Sequence, residues 1–247
     1  MPDRAYWITW YDLPEAGGEA YFEWLHGSYM PKVLAWPGVL WGAHYQAEKN
    51  VVPLGGGKGR VTRHASPDEV PGGTQFILIF GASEPHAFAD PGPRAFHDSL
   101  GEDDRKMLAM RRGERTTLMI DEARVAGPEA DVGGANGEPA PAIQLGSFNA
   151  DSPEAEDALA TWYAQWRLPS MTTLPGIVRT RKLISVAGWA KHACFYEFAS
   201  LEARNEHFIH YEDGKPDKVA WSQKVVDTLI HATPRAIVAK RLWPPVG

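Results

Sequence analysis

The sequence predicts an α+β fold of two tandem β-α-β-β-α-β units, each ferredoxin-like, whose sheets close into one pseudo-dimeric barrel. Three self-similarities carry this expectation. FEWLHGSYMPKVLAWPGV (22–39) is echoed by ATWYAQWRLPSMTTLPGI (160–177): in both, Trp is followed by Pro seven residues on, and Pro-Gly comes six and seven residues after that. TQFILIFGASE (74–84) lies over HACFYEFASLE (192–202), and ERTTLMI (114–120) over PRAIVAK (234–240).

Each element follows in order. An apolar, aromatic-rich strand opens each half, Tyr6 to Tyr11 and Ile143 to Phe148, with Trp10 placed over Phe148 by a shift of 138 residues. A helix follows at about 16–35 and about 153–173, with apolar residues at three- to four-residue spacing: Tyr21, Leu25 and Tyr29, then Leu159, Tyr163 and Trp166. Ser152-Pro153-Glu154 is a helix start, a capping residue before proline. Pro31 and Pro169 cannot donate an amide and are expected to kink or end the regular helix. Pro-Gly then turns the chain into a second strand (39–46; 177–185), and QFILIF and ACFYEF make the third. A second helix is expected at about 94–111 and about 216–231, with a short helical piece at 201–211, before a last strand at 115–124 and 235–242.

The best shift falls from 138 to 118 along the chain, so the first half holds about twenty extra residues, the Gly/Pro-rich insertion 53–73. The units expected are 1–125, a linker at 126–142, and 143–247. Two helices cover one face of each four-stranded sheet; the other apolar face needs burial, and a second sheet supplies it.

Bulk properties narrow the function classes. The 247 residues carry a net charge of −6, without a basic stripe interleaved with aromatics, which argues against nucleic acid. No apolar run reaches the roughly 20 residues of a membrane helix, and the N-terminus lacks a signal peptide's apolar segment. The one cysteine, Cys194, excludes a disulfide framework. A cytoplasmic protein without membrane partner is the expectation. Ten tryptophans and eight tyrosines suit either a packed core or a pocket for a flat aromatic ligand.

The aromatic, the short helix, the proline and the Pro-Gly entering a strand together resemble the EthD-like branch of the dimeric α+β barrel superfamily, over nearly all the chain outside insertion and linker. The resemblance implies the barrel fold, further association as a homodimer, and a ligand cavity between helices and sheet. Its members include cofactor-free monooxygenases, cyclases, dehydratases, decarboxylases, isomerases and haem enzymes, many acting on aromatic or polyketide-like molecules. The histidine often found two residues before the helical proline is replaced here by Tyr29 and Arg167.

Candidate chemistry centres on a few groups. His26 and Tyr29, three apart on a helix, share a face and suit an acid/base pair; the alternative is His26 in water and Tyr29 packed. His44 and Tyr45 are strand neighbours that point to opposite faces, with Lys182 and Leu183 as counterparts; a surface position for His44 is the alternative. His26, Tyr29 and His44 are thus the catalytic candidates. Tyr45, Trp24, Trp162, Tyr163, Arg167 and Arg179 are the substrate-binding candidates. Arg167 and Arg179 or Arg181 suit a bidentate hold on a carboxylate or phenolate, against ordinary salt bridges. His207 and His210 in HFIHYED, or His192, are the candidates for an axial haem ligand; no dedicated metal motif is present. GGGKG (55–59) lacks a phosphate loop's ending and reads as a flexible loop or lid. The absence of a Gly-x-Ser-x-Gly elbow argues against a nucleophilic mechanism.

The expectation is a cofactor-free lyase acting on an aromatic small molecule, of the dehydratase, decarboxylase or deformylase type. A haem-dependent peroxidase or dehydratase and a non-catalytic binding module are the alternatives.

Overall fold

The computed structural model of the chain describes residues 2–52, 62–133, 139–232 and 236–246. The first half runs β1 (Ala5–Asp12), α1 (Gly18–Trp24), α2 (Met30–Leu34), β2 (Val39–Ala47), a two-residue β3 (Arg63–His64), β4 (Phe76–Ala82), α3 (Pro93–Ser99), α4 (Glu102–Leu108) and β5 (Arg112–Ala126). The second runs β6 (Ala142–Ala150), α5 (Pro153–Trp162), α6 (Leu168–Met171), β7 (Ile177–Ala187), β8 (His192–Phe198), α7 (Leu201–His207), α8 (Pro216–Val226), β9 (Leu229–His231) and β10 (Ile237–Trp243).

Both halves have the same strand order, β5-β1-β4-β2 and β10-β6-β8-β7. Antiparallel pairing of β5 with β7 and of β10 with β2 joins the sheets edge to edge, so the strands close into an eight-stranded barrel. Closure removes the free edges an open sheet would present.

Strand alternation sorts the side chains into three layers. Tyr6, Ile8, Trp10, Tyr45, Ile77, Ile79, Leu145, Leu183 and Phe195 point inward and fill the barrel. The interior is a solid core rather than a hollow. It also holds charge: Arg181 lies 3.1 Å from Asp3 and 3.3 Å from Glu197, and Arg179 bonds Glu197 at 3.0 Å. Outside the wall, Trp7, Tyr11, Phe76 and Phe80 pack under the first half's helices, and Phe148, Tyr196 and Phe198 under the second's.

This layering corrects one pairing read from sequence. Trp10 faces the barrel interior and Phe148 faces the helices, so they are not equivalent positions. The ladders supply the right match once Phe76 and Phe80 are set over Cys194 and Phe198. Tyr11 lies opposite Phe76 and Gly146 opposite Cys194; Trp7 lies opposite Phe80 and Ala142 opposite Phe198.

The recurring Trp-to-Pro spacing has a physical cause. α-helical bonding stops at Trp24 and Trp162, and a five-residue π-turn follows, Leu25–Tyr29 and Tyr163–Arg167. In these turns the amide of Met30 reaches the carbonyl of Leu25, and that of Leu168 reaches Tyr163. Pro31 and Pro169 then sit in the first turn of a resumed helix, where a missing donor costs nothing. The regular helix therefore breaks well before each proline rather than at it. Gly38 and Gly176 turn the chain into β2 and β7 at φ of 86° and 83°, where a side chain is strained; at Gly176 a Cβ would also meet that of Ala203 at 2.7 Å.

Two helices differ from expectation. The 94–111 helix is split, because Leu100 is extended (ψ 152°) between α3 and α4. The 216–231 helix ends at Val226, because Leu229–His231 pairs with the end of β6 as β9. No helix among the described residues is long and apolar enough to cross a membrane.

Candidate functional site

The three catalytic candidates lie in the first half, within a filled aromatic layer. Tyr11 Oη is 2.8 Å from His44 Nε2, and His44 Nδ1 is 2.9 Å from His26 Nε2. His44 is fully buried, not at a surface edge; burial, then His26 and Arg111, hold it well below the usual imidazole range, so it is neutral. Tyr29 bonds elsewhere, its hydroxyl 2.7 Å from His97 Nε2. The π-turn between them breaks the helical spacing that would have put His26 and Tyr29 together. The Arg111 guanidinium lies over the Tyr11 and Tyr29 rings at 4.9 and 5.2 Å, and its Nε donates to Tyr21 at 2.7 Å.

The second half is different. Between its sheet and helices lies a cavity of about 1180 Å³, whose wall includes Phe148, Trp162, Tyr163, Arg167, Cys194 and Tyr196. Its mouth takes residues of the first half, among them Gln46, Glu48 and Thr74. Gly146, on its wall, stands where the first half has Tyr11.

Arg167, the last residue of the second π-turn, is 3% exposed. Its Nε donates to Tyr196 Oη at 2.5 Å, and the rings of Trp162, Tyr196, Phe208 and Tyr211 surround its guanidinium at 4.7 to 5.3 Å. Such rings offset part of the cost of burying the charge. Its Nη1 is buried without a hydrogen-bond partner. An uncompensated donor on a buried cation is costly in a resting core and useful where an anion arrives.

His231, on β9, also lines the cavity, and its buried Nε2 has no hydrogen-bond partner. Burial, then His64, depress it to about 4, so it is a neutral imidazole with a free ring nitrogen at neutral pH. Cys194 lines the same wall as a free thiol; burial pushes it up, away from the thiolate a nucleophile needs.

Of the residues singled out from sequence, Trp162, Tyr163 and Arg167 come together in this cavity. The others lie apart from it. Tyr45 points into the barrel and donates to the Ala140 carbonyl at 3.0 Å. Trp24 donates to Asp104 at 2.7 Å across the first half's helices. Arg179 and Arg181 are committed to Glu197 inside the wall, the salt-bridge alternative. His192 has both nitrogens engaged at 2.7 Å, by Glu156 and Lys182, and His210 bonds Asp213 at 2.7 Å on the surface, while His207 sits beside Glu206. None of these three lines the cavity. The loop 55–59 lies outside the described residues.

Sequence reasoning missed Gly146, Arg204 and His231. A glycine inside the apolar strand AIQLGSF was the available signal, since strand glycines mark a missing side chain or a close approach.

No protein-family model matches the chain, and no curated protein matches its sequence. Solved structures do match its shape. An anthrone oxidase-like protein aligns with a TM-score of 0.58 at 11% identity, over 97% of this chain and 92% of that one. A proposed monooxygenase of Fusobacterium nucleatum aligns at 0.57 and 8% identity, over 98% and 93%. A chlorite dismutase variant from Candidatus Nitrospira defluvii aligns at 0.51 and 11% identity, over 97% and 92%. The chain thus has the dimeric α+β barrel fold, and at these identities the likeness concerns fold alone.

Proposed function

We propose that the second-half cavity binds an aromatic small-molecule anion, and that the chain acts on it as a cofactor-free lyase of the dehydratase, decarboxylase or deformylase type. Placement in the EthD-like branch belongs to the same proposal. The observation that carries it is the buried Arg167 guanidinium, with a spare donor, in an aromatic-walled cavity. One structural neighbour is described as an anthrone oxidase-like protein.

The groups at hand suit proton transfer. Arg167 stabilises negative charge as it develops on the substrate. The neutral His231 Nε2 takes a proton from substrate carbon, and the electron pair left on carbon forms the new double bond. In a dehydration, hydroxide leaves as water with a proton from Tyr163 or Tyr196, both of which burial keeps protonated. The proton held by His231 then passes through solvent to the tyrosinate, which restores both groups for the next turnover.

The test is turnover of candidate aromatic acids by haem-free, metal-stripped protein, compared with Arg167→Ala and His231→Ala. Loss of activity in both variants is expected; full activity in both refutes the assignment.

A second reading rests on the same imidazole. His231 Nε2 is the kind of donor a haem iron takes, and the cavity is wide and aromatic. There haem would supply redox chemistry, held by His231, with Arg167 available to its carboxylates. A Soret band in purified protein, lost in His231→Ala, favours this reading; no band after haemin reconstitution eliminates it.

A further inference from the structure

A second guanidinium in the same cavity sharpens the ligand class, on the premise that the cavity is the binding site. Arg204, on α7, is 2% exposed and lines it. Its Nε and Nη2 both donate to Gln144 Oε1, at 3.1 and 2.8 Å. Its Nη1 donates to the Val52 carbonyl at 2.9 Å and Asn205 Oδ1 at 2.8 Å. Every acceptor is neutral. Arg167 likewise bonds only a phenol and faces rings. Among the described residues neither guanidinium has a carboxylate within salt-bridge distance, although the chain has 31 acidic residues. Among the other buried cations of the described residues, Arg111 has Glu114, Arg181 has Asp3 and Glu197, and Lys182 has Glu122, while Arg115, stacked over Trp10 and bonded to the Trp189 carbonyl, has none and lies outside the cavity.

The two charges are neighbours around one ring. Both flank the Phe208 ring, Arg167 at 5.2 Å and Arg204 at 6.0 Å from its centroid. The carboxylates that line the cavity, Glu15 and Glu48, are less buried; Glu48 is 3.4 Å from Lys240, and Lys49 stands beside them. Two buried guanidiniums without a carboxylate partner in one chamber are an expensive arrangement unless a ligand completes both. We infer that the cavity takes an aromatic dianion, one acidic group on Arg167 and the second directed to Arg204. Arg204 keeps its neutral partners until that group arrives, which makes it a residue that selects for ligand charge.

The chemistry is shared by small aromatic diacids and by a porphyrin with two propionates, and the test separates them. Calorimetric titration would compare benzene-1,4- and benzene-1,3-dicarboxylate with their monoamides, which match them in shape but carry one charge, and with the neutral diamides. Haemin would be titrated separately by its Soret band. The expected result is a dicarboxylate bound at least about tenfold more tightly than its monoamide. That preference should be lost in Arg204→Gln and largely kept in Arg204→Lys. Tight haemin binding that weakens in Arg204→Gln also supports the dianion and identifies the porphyrin as its source. Equal binding of dicarboxylate and monoamide overturns the dianion while leaving the anion site standing. Equal binding of the neutral diamide, or no binding of any probe, overturns both. The ligand series on unaltered protein needs no variant to fold.

Discussion

The two halves share an order of strands and helices but use the space between them oppositely. In the first, Trp7 and Tyr11 rise from β1 and fill the layer beneath the helices. In the second, Ala142 and Gly146 hold the matching positions on β6, and a cavity of about 1180 Å³ remains. The first half joins its buried histidines and tyrosines to one another, through the Tyr11–His44–His26 chain and the Tyr29–His97 bond, and leaves Arg111 Nη2 and Asp121 Oδ1 without hydrogen-bond partners away from the cavity. The second leaves Arg167 Nη1 and His231 Nε2 without partners. One copy of the architecture is filled, and the other leaves room beside its buried charge. A side chain's chemistry alone does not make a site; room beside it is also required.

Four outcomes would break or sharpen this contrast. The largest effect is expected at Arg167. Its change to Ala should weaken binding of an aromatic carboxylate by about 100-fold or more, since a buried charged hydrogen bond is lost. Arg167→Lys should recover part of the affinity, because the charge stays while the fork is lost. Undiminished binding in the alanine variant would remove the guanidinium from the site.

Filling the chamber comes next. Cys194 matches Phe76 of the solid half, so Cys194→Phe makes the second half resemble the first. Affinity should fall about tenfold or more while the fold persists, at a stability cost within the about 1–3 kcal/mol of overpacking. Unchanged affinity would mean the ligand sits elsewhere.

His44→Ala tests the filled half. It leaves the buried Tyr11 hydroxyl and the His26 ring without their partner, so stability should drop by about 1–3 kcal/mol in denaturant titrations. Turnover per folded molecule should change by less than about twofold. A collapse of turnover without loss of stability would return catalysis to the first half.

The last outcome concerns stability alone, through the pH dependence due to His231. Its imidazole lies near 6.5 in the unfolded chain and is depressed to about 4 when folded, because burial disfavours its charge. Below the unfolded value the unfolded chain binds the extra proton. Stability is therefore full above about pH 6.5 and declines as pH falls towards 4, by about 2–3 kcal/mol in total. His231→Gln should flatten that limb of the stability profile; an unaltered limb would assign it to other groups.

The fold was legible because its determinants are local and repeated. The Pro-Gly exits, the third strands and the Trp-to-Pro spacing each reflect a backbone requirement that the chain meets twice. The candidate site was half legible. Trp162, Tyr163 and Arg167 stood out as aromatic and cationic residues on one helix, and they do meet in the cavity. His26 and Tyr29 misled because their partnership assumed α-helical spacing across a π-turn, which single-residue propensity does not announce. Arg204 and His231 were hidden because their significance lies in what is missing around them: a carboxylate for one, a donor or acceptor for the other. Absences of that kind depend on residues brought in from distant segments.

The way the barrel closes bears on how the chain is made. During synthesis β2 and β5 emerge well before β10 and β7, the strands that cover them. Until then the nascent first half offers two bare strand borders to any neighbour, the condition under which chains stick together. Ribosome-bound intermediates stalled before β10 should therefore be the most chaperone-dependent species in the life of this protein.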